Sequence, residues 1–186
     1  MSSKDSIIEK IRSLKLDQKP LPEIPDFEGA TDLVQAFCTS IAGNNGEILS
    51  AEELITKLES GIYPSIFSTD TSFENFSNQV LPVDVHSFSK LDLAILKGQF
   101  AVAENGAIWL EDADLRLRAI PFITEHLAIV VSRDSIVTTM HRAYDRLGDQ
   151  HSGFGLFIAG PSKTADIEQS LVIGAHGAKS LMVVLV

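Results

Sequence analysis

Cysteine is almost absent: the 186 residues contain one, Cys38. A lone thiol cannot close an internal disulfide, and no Cys-rich cluster or zinc spacing exists. Iron–sulfur ligation by this chain alone is excluded, because the usual cluster takes about four thiolates. Long apolar runs are also missing. Nothing approaches the roughly 18 consecutive apolar residues of a membrane span. Positive charge is scarce, with 15 Lys and Arg against 25 Asp and Glu and a net charge of −10. So acidic a surface repels phosphate backbones, and no general nucleic-acid binding is expected. The polar start Met1-Ser2-Ser3-Lys4-Asp5-Ser6 lacks the apolar core of a secretory signal, so a cytoplasmic location is expected. No repeat or low-complexity tract interrupts the chain.

What is present is a hydrophobic fraction of 45%, enough for one domain with a sizeable core. Ile7, Ile8, Ile11 and Leu14 recur at helical spacing behind a Ser6/Glu9 capping pair. Pro20, Pro22 and Pro25 then impose an extended linker. Residues 1–27 therefore read as an N-terminal helical arm and Pro-rich linker, and 28–186 as an α/β domain. Within that domain the spacing predicts a helix over Asp32–Ala42 that carries Cys38 as a buried, inert residue. It ends at Gly43-Asn44-Asn45-Gly46. A strand at Glu47–Leu49, a helix at Glu52–Leu58 capped at Ser50, and a strand at Tyr63–Phe67 follow, with an Asn/Ser/Thr-rich stretch over 69–80.

Leu91–Leu96 reads as a strand. Two more strands flank Asn105-Gly106, forming a tight hairpin, and Ile120–Glu125 is a connection. Leu127–Val131 is apolar at every position, as in a strand buried on both faces. A helix from Asp134 or Ser135 to Leu147, a buried strand at Gly155–Ala159, a helix over Ala165–Gly174 and a strand at Leu181–Val186 complete a βαβ series with parallel pairing.

Three segments could carry chemistry. In Gly160-Pro161-Ser162-Lys163-Thr164-Ala165-Asp166-Ile167-Glu168 a strand-to-helix turn at a strand's carboxyl end would present N–H groups and hydroxyls to a small anion. A plain helix cap meets the same pattern. Asp166 and Glu168 disfavour a highly charged phosphate. In Ala103-Glu104-Asn105-Gly106, a carboxylate between apolar strands would be partly desolvated, with a raised pKa suited to a nucleophile or base; a surface Glu at a hairpin tip is the plainer alternative. In Gly174-Ala175-His176-Gly177, His176 is either a C-cap or a substrate-facing acid/base. His86, His126, His141 and His151 have no metal spacing, and Glu111-Asp112-Ala113-Asp114 reads as a solvated loop.

Gly160 to Glu168, followed by Leu171-Val172-Ile173-Gly174-Ala175-His176-Gly177 and a Leu/Val strand, resembles the C-terminal signature of the LUD domain, the lactate utilization protein C family. Ala101-Val102-Ala103-Glu104-Asn105-Gly106-Ala107-Ile108-Trp109-Leu110 is similar to another stretch of that family, with Asn105 where Thr is usual; Ala178 stands where Pro often follows the His-Gly. The likeness covers residues 85–186. It implies an α/β fold like the NagB/RpiA/CoA-transferase group, a three-layer sandwich around a mainly parallel, Rossmann-like sheet. It also implies an accessory, non-redox role in oxidising L-lactate to pyruvate beside partner proteins that carry iron–sulfur clusters. In that role a small carboxylate or a partner would bind near Glu104, Asn105, Gly106, Gly160, Ser162, Thr164, Asp166 and His176, with Glu104 and His176 as candidate catalytic residues and no cofactor or metal held by this chain. Glu104-Asn105-Gly106 also resembles the Ser-Glu-Asn-Gly motif of class I CoA transferases, with Ala103 in place of Ser. The alternative is therefore a transferase or isomerase using Glu104 on an acyl-CoA or sugar phosphate.

Overall fold

Local signals set most element boundaries in the computed structural model, which describes residues 2–14, 19–20, 22–25, 27, 29–80, 91–148, 153–165 and 171–186. Helix α1 (Ser3–Ser13) starts at a Ser2/Asp5 capping box, one turn before the predicted Ser6/Glu9 pair, and buries none of its residues. Helix α2 (Leu33–Gly43) is capped by Asp32, which accepts the Gln35 N–H. It ends at Asn44, with Asn45 in the left-handed region. Strand β1 (Glu47–Leu49) leads to α3 (Ala51–Glu59), opened by a reciprocal Ser50/Glu53 capping box.

Strand β2 (Ile66–Ser68) begins later than expected, and the Asn/Ser/Thr-rich stretch contains a 3-10 helix at Thr71–Phe76. Then come β3 (Leu91–Lys97), β4 (Phe100–Ala101) and β5 (Ile108–Glu111). The acidic run expected as a solvated loop instead forms α4 (Asp112–Leu115), where Asp112 pairs with Arg118 and Asp114 accepts from Gln99. The expected connection at Ile120–Glu125 is instead α5 (Ile120–Ile123) and the start of β6 (Thr124–Val131).

Helix α6 (Met140–Leu147) starts later than Asp134 or Ser135. Arg133–Ser135 form a single 3-10 turn, and backbone pairing then interrupts the helix: Val137 N–H donates to Ala101 O and Val137 O accepts from Ala103 N–H. Strand β7 (Gly155–Ile158) follows. Of the helix predicted over Ala165–Gly174, the described residues Ala165 and Leu171–Ile173 are strand, and 166–170 lie outside the described residues. Strands β8 (Lys163–Ala165) and β9 (Leu171–Ile173) pair antiparallel there, with Thr164 opposite Val172, and β10 (Ser180–Leu185) ends the fold.

The central sheet has the order β1-β10-β6-β3-β2, every pair parallel, as an α/β fold requires. Alternation along β6 and β10 feeds two cores. Leu127, Ile129, Leu181 and Val183 pack with Phe37 and Ile41 of α2 and with Ile108 and Leu110; Ala128, Val130, Met182 and Val184 pack with Leu54 and Leu58 of α3 and with Phe73. β7 was expected as another buried parallel strand. It is instead half-buried and antiparallel to β5, in a second sheet of order β4-β5-β7. Ala143 of α6 packs on that sheet's outer face with Phe100 and Trp109, adding cover beyond the three expected layers. Cys38 is half-buried against the first core. Among the described residues no helix is long and apolar enough to cross a membrane.

Full burial of one aliphatic side chain contributes about 1.5–3 kcal/mol, and its removal also leaves a cavity. Ile129→Ala should therefore lower unfolding free energy by about 2–5 kcal/mol, whereas Ile11→Ser on the exposed α1 should stay within about 0.5 kcal/mol. Urea unfolding followed by Trp109 fluorescence measures both.

Candidate functional site

Three chain segments meet at the amino-terminal edge of the central sheet. The first is the end of α2. The second is the loop between β4 and β5, which closes with Val102 N–H donating to Ala107 O and Gly106 N–H to Val102 O. The loop thus has four residues rather than the two of a tight Asn-Gly turn, and Gly106 alone takes a positive φ, 71°. A Cβ on Gly106 would lie 3.1 Å from the Ile41 backbone nitrogen, so the loop seats directly on α2. Asn105 holds the turn through its own side chain, Oδ1 accepting from Ala107 N–H, while its carbonyl accepts from Asn44 Nδ2 at 2.7 Å. The third segment is the turn at Gly160, whose φ is +90° and where a Cβ would come within 2.7 Å of Asn44 O.

Beyond Gly160 the chain is fastened to the approach to β10. Ser162 N–H donates to Ala178 O and Gly174 N–H donates to Ser162 O. A Cβ on Gly177 would lie 3.1 Å from Ser162 Cβ. These bonds bring Gly160, Ser162 and His176 around one depression of about 300 Å³, with Lys163 on its rim and Phe122, Leu127 and Leu156 supplying apolar wall. Lys163 and His176 are exposed and Ser162 is half-buried. A hydroxyl, an ammonium and an imidazole beside an apolar wall can hold a carboxylate with a short apolar body.

Two expectations about this turn are corrected. Among the described residues no helix starts here: Lys163–Ala165 are strand β8, which uses its backbone in pairing with β9, so the expected helix cap at Ser162 or Thr164 is replaced by strand pairing. The turn does follow the carboxyl end of β7, but β7 belongs to the antiparallel sheet. Relative to the parallel strands the depression sits at the amino edge, beside Leu127 and Ala178. Thr164 is opposite Val172 and does not line the depression. Asp166 and Glu168 lie outside the described residues. His176 follows a strand rather than a helix, so it is no helix C-cap.

Glu104 stands elsewhere. It is exposed, not desolvated as the sequence led us to expect, and its Oε2 accepts Met140 N–H at 2.8 Å, capping α6 together with Thr139. With Ser40, Thr139 and His141 it lines a separate hollow of about 650 Å³, bordered by Phe27, whose ring stacks on His141 at 4.8 Å. The structure therefore does not bring Glu104 and His176 into one cleft. His126 meets Ser180 Oγ at 2.7 Å; His86 and His151 lie outside the described residues. Among the described residues no three His, Cys, Asp or Glu side chains converge to hold a metal.

Residues 51–186 match the LUD domain. The chain belongs to the LUD domain family. It is 32% identical over 90 residues to lactate utilization protein C of Bacillus pumilus, a stretch covering 45% of this chain and 38% of that relative. It is 26% identical over 183 residues to the protein of the same name from Anoxybacillus flavithermus, covering 86% of this chain and 83% of that one. The chain thus spans less than half of the first relative and most of the second. A crystal structure of a DUF162 family protein from Deinococcus radiodurans superposes with a TM-score of 0.60 at 19% identity, covering 82% of this chain and 95% of that chain. That likeness supports the fold alone.

Sequence reasoning passed over two residues of this edge. Lys163 was inside the signature but carried no role until β8 placed it beside Ser162. Asn44 read only as part of a helix end; its side-chain bond to the β4–β5 loop has no local signal, because the two are 61 positions apart.

The edge yields two predictions. Gly160→Ala should cost about 1–3 kcal/mol, from the positive φ and the contact with Asn44, in urea unfolding. Lys179, which pairs with Glu125 at 2.5 Å just before β10, draws the Glu125 pKa below its ordinary 4.5, chiefly through their hydrogen bond. A depressed carboxylate stabilises the fold above the unfolded value and loses that contribution as pH falls through the folded one. Lys179→Met should therefore be less stable than wild type at neutral pH, and the gap should close on acidification below 4.5. Thermal melts across pH check it.

Proposed function

We propose that this chain is an accessory, non-redox component of a lactate-utilization system that oxidises L-lactate to pyruvate. In this reading it binds a small carboxylate, or the partner that handles one, at the depression formed by Ser162, Lys163 and His176. The observation that carries the proposal is their convergence on about 300 Å³ of space with an apolar wall. Lys163 would pair with the carboxylate, Ser162 would donate to it, and His176 would orient the ligand or exchange a proton. The shared name of the relatives supports the physiological setting.

Oxidising lactate to pyruvate removes two electrons and two protons. Cys38 alone cannot ligate a cluster, so iron–sulfur centres that accept those electrons would belong to partner proteins. A second reading, a transferase or isomerase using Glu104 on an acyl-CoA or sugar phosphate, rests on the 650 Å³ hollow beside Glu104 and His141. It is the weaker, because the Glu104 carboxylate already serves the start of α6.

Deleting the gene should abolish growth on L-lactate while leaving growth on glucose intact. The wild-type copy should restore growth, and the double variant Lys163→Met, Ser162→Ala should not, although it remains soluble. Normal growth of the deletion strain on L-lactate would remove the physiological claim. Full rescue by the double variant would remove the binding site.

A further inference from the structure

The opposite edge of the central sheet carries a different hollow. The chain leaving β2 covers one face, where Phe73 of the 3-10 helix packs with α3 residues against Leu93 and Ile95. The chain leaving β3 crosses to the other face, where Ala101 and Ile108 join Leu96 and Ile129. β2 and β3 are neighbours in the sheet. Adjacent parallel strands whose outgoing connections part to opposite faces leave a crevice at their carboxyl ends, the usual ligand position in open α/β sheets. A hollow of about 530 Å³ opens at the carboxyl end of β2, walled by Phe67 to Thr71, the 3-10 helix and Arg116. Thr69 N–H donates to Ile95 O and Lys97 N–H to Thr69 Oγ1, so the two strand ends are locked side by side at its floor.

Its polar groups are mixed in kind. Thr71 brings a hydroxyl, while those of Ser68 and Ser77 also line the hollow but bond to the turn backbone, Ser68 Oγ donating to Asp70 O and Ser77 Oγ accepting Ser68 N–H. Asp70 is only 7% exposed; its Oδ1 accepts Ser72 N–H, and a carboxylate has about four acceptor positions, leaving capacity for a ligand. Arg116 enters from beyond α4. It sits at φ 60°, ψ −41°, inside a γ-turn closed by Leu117 N–H donating to Leu115 O at 2.6 Å. Leu115 and Ile120 on either side are fully buried and hold that strained turn in place. Arg118, two positions on, is paired with Asp112; Arg116 makes no ion pair or hydrogen bond among the described residues and lines the hollow.

We propose that this crevice is a second ligand site, for a polyhydroxylated molecule carrying a single carboxylate, of the sugar-acid class. The Arg116 fork receives the carboxylate bidentately. Asp70 and the hydroxyl side chains exchange hydrogen bonds with the ligand's hydroxyls. Asp70 and Glu74 repel a second negative charge, which selects against sugar phosphates. The volume exceeds what a three-carbon acid fills and lies within the range of ordinary small-molecule pockets. The site is independent of the Ser162–His176 depression, which lies at the other end of the strands.

Isothermal titration of the full chain with D-gluconate, D-glucose and D-glucose 6-phosphate tests it. D-gluconate should bind saturably and better than either of the others. Arg116→Gln should weaken it about tenfold or more, the effect of removing a charged hydrogen-bond partner. Asp70→Asn should weaken it too. Arg116→Gly, which relieves the backbone strain, should unfold at no lower denaturant concentration than wild type and still lose binding, separating recognition from folding. Ser162→Ala should bind D-gluconate as wild type does. The proposal is overturned by absence of saturable gluconate binding, by equal affinity for D-glucose, or by binding that survives Arg116→Gln and fails in Ser162→Ala.

Discussion

From Leu127 to Val131 and from Leu181 to Leu185, strands β6 and β10 have no face that meets water, and the rest of the molecule is arranged around that constraint. Their paired backbones run in register from Ser180 opposite His126 to Leu185 opposite Val131. From Leu127 and Leu181 onward almost every side chain is apolar and buried. Parallel neighbours cannot be joined by tight turns, so each connection must cross a face of the sheet. Those crossings provide the cover: α3 and the 3-10 helix on one side, α2 and the small antiparallel sheet on the other. Two separate cores result, sharing strands but no side chains.

The same constraint gives the two edges of the sheet different characters. At the amino edge the crossings are tied together: Asn44 bonds to the Asn105 carbonyl and lies against Gly160, and Ser162 is bonded to the residue two before β10. The resulting depression is small, with Lys163 and His176 at its mouth. At the carboxyl edge the crossings diverge from β2 and β3, and the space they leave is larger and lined by hydroxyls and charges. Tight fastening at one edge and divergence at the other both follow from where successive connections lie.

Glu104 shows how a local pattern can be right about geometry and silent about engagement. A hairpin between Phe100–Ala101 and Ile108–Glu111 forms, though through a four-residue loop rather than a tight Asn-Gly turn. What takes up the carboxylate, though, is Met140 N–H, 36 positions away, at the start of a helix. Helix starts offer unpaired N–H groups and favour negative charge. The expected desolvation depended on a neighbour that does not cover this residue.

Elements whose information is local were legible from residues alone. Ser50 with Glu53 starts α3, Gly43 to Gly46 ends α2, and the unbroken run Leu127–Val131 is a two-sided strand. Within the Gly160–His176 signature, the residues on either side of 166–170 are strands where a helix was predicted. Thr164 and Val172 find partners in each other rather than within a helical turn, and pairing between strands leaves no periodic trace in so short a stretch. By itself, then, the sequence determined the fold class, the central strands and the start of α3 and end of α2. Tertiary structure alone decided that β7 turns away from the parallel sheet, that Glu104 and His176 line different hollows, and that Arg116 reaches the hollow at the carboxyl end of β2. Each of those depends on which distant backbone groups satisfy one another, and no spacing along the chain encodes that choice.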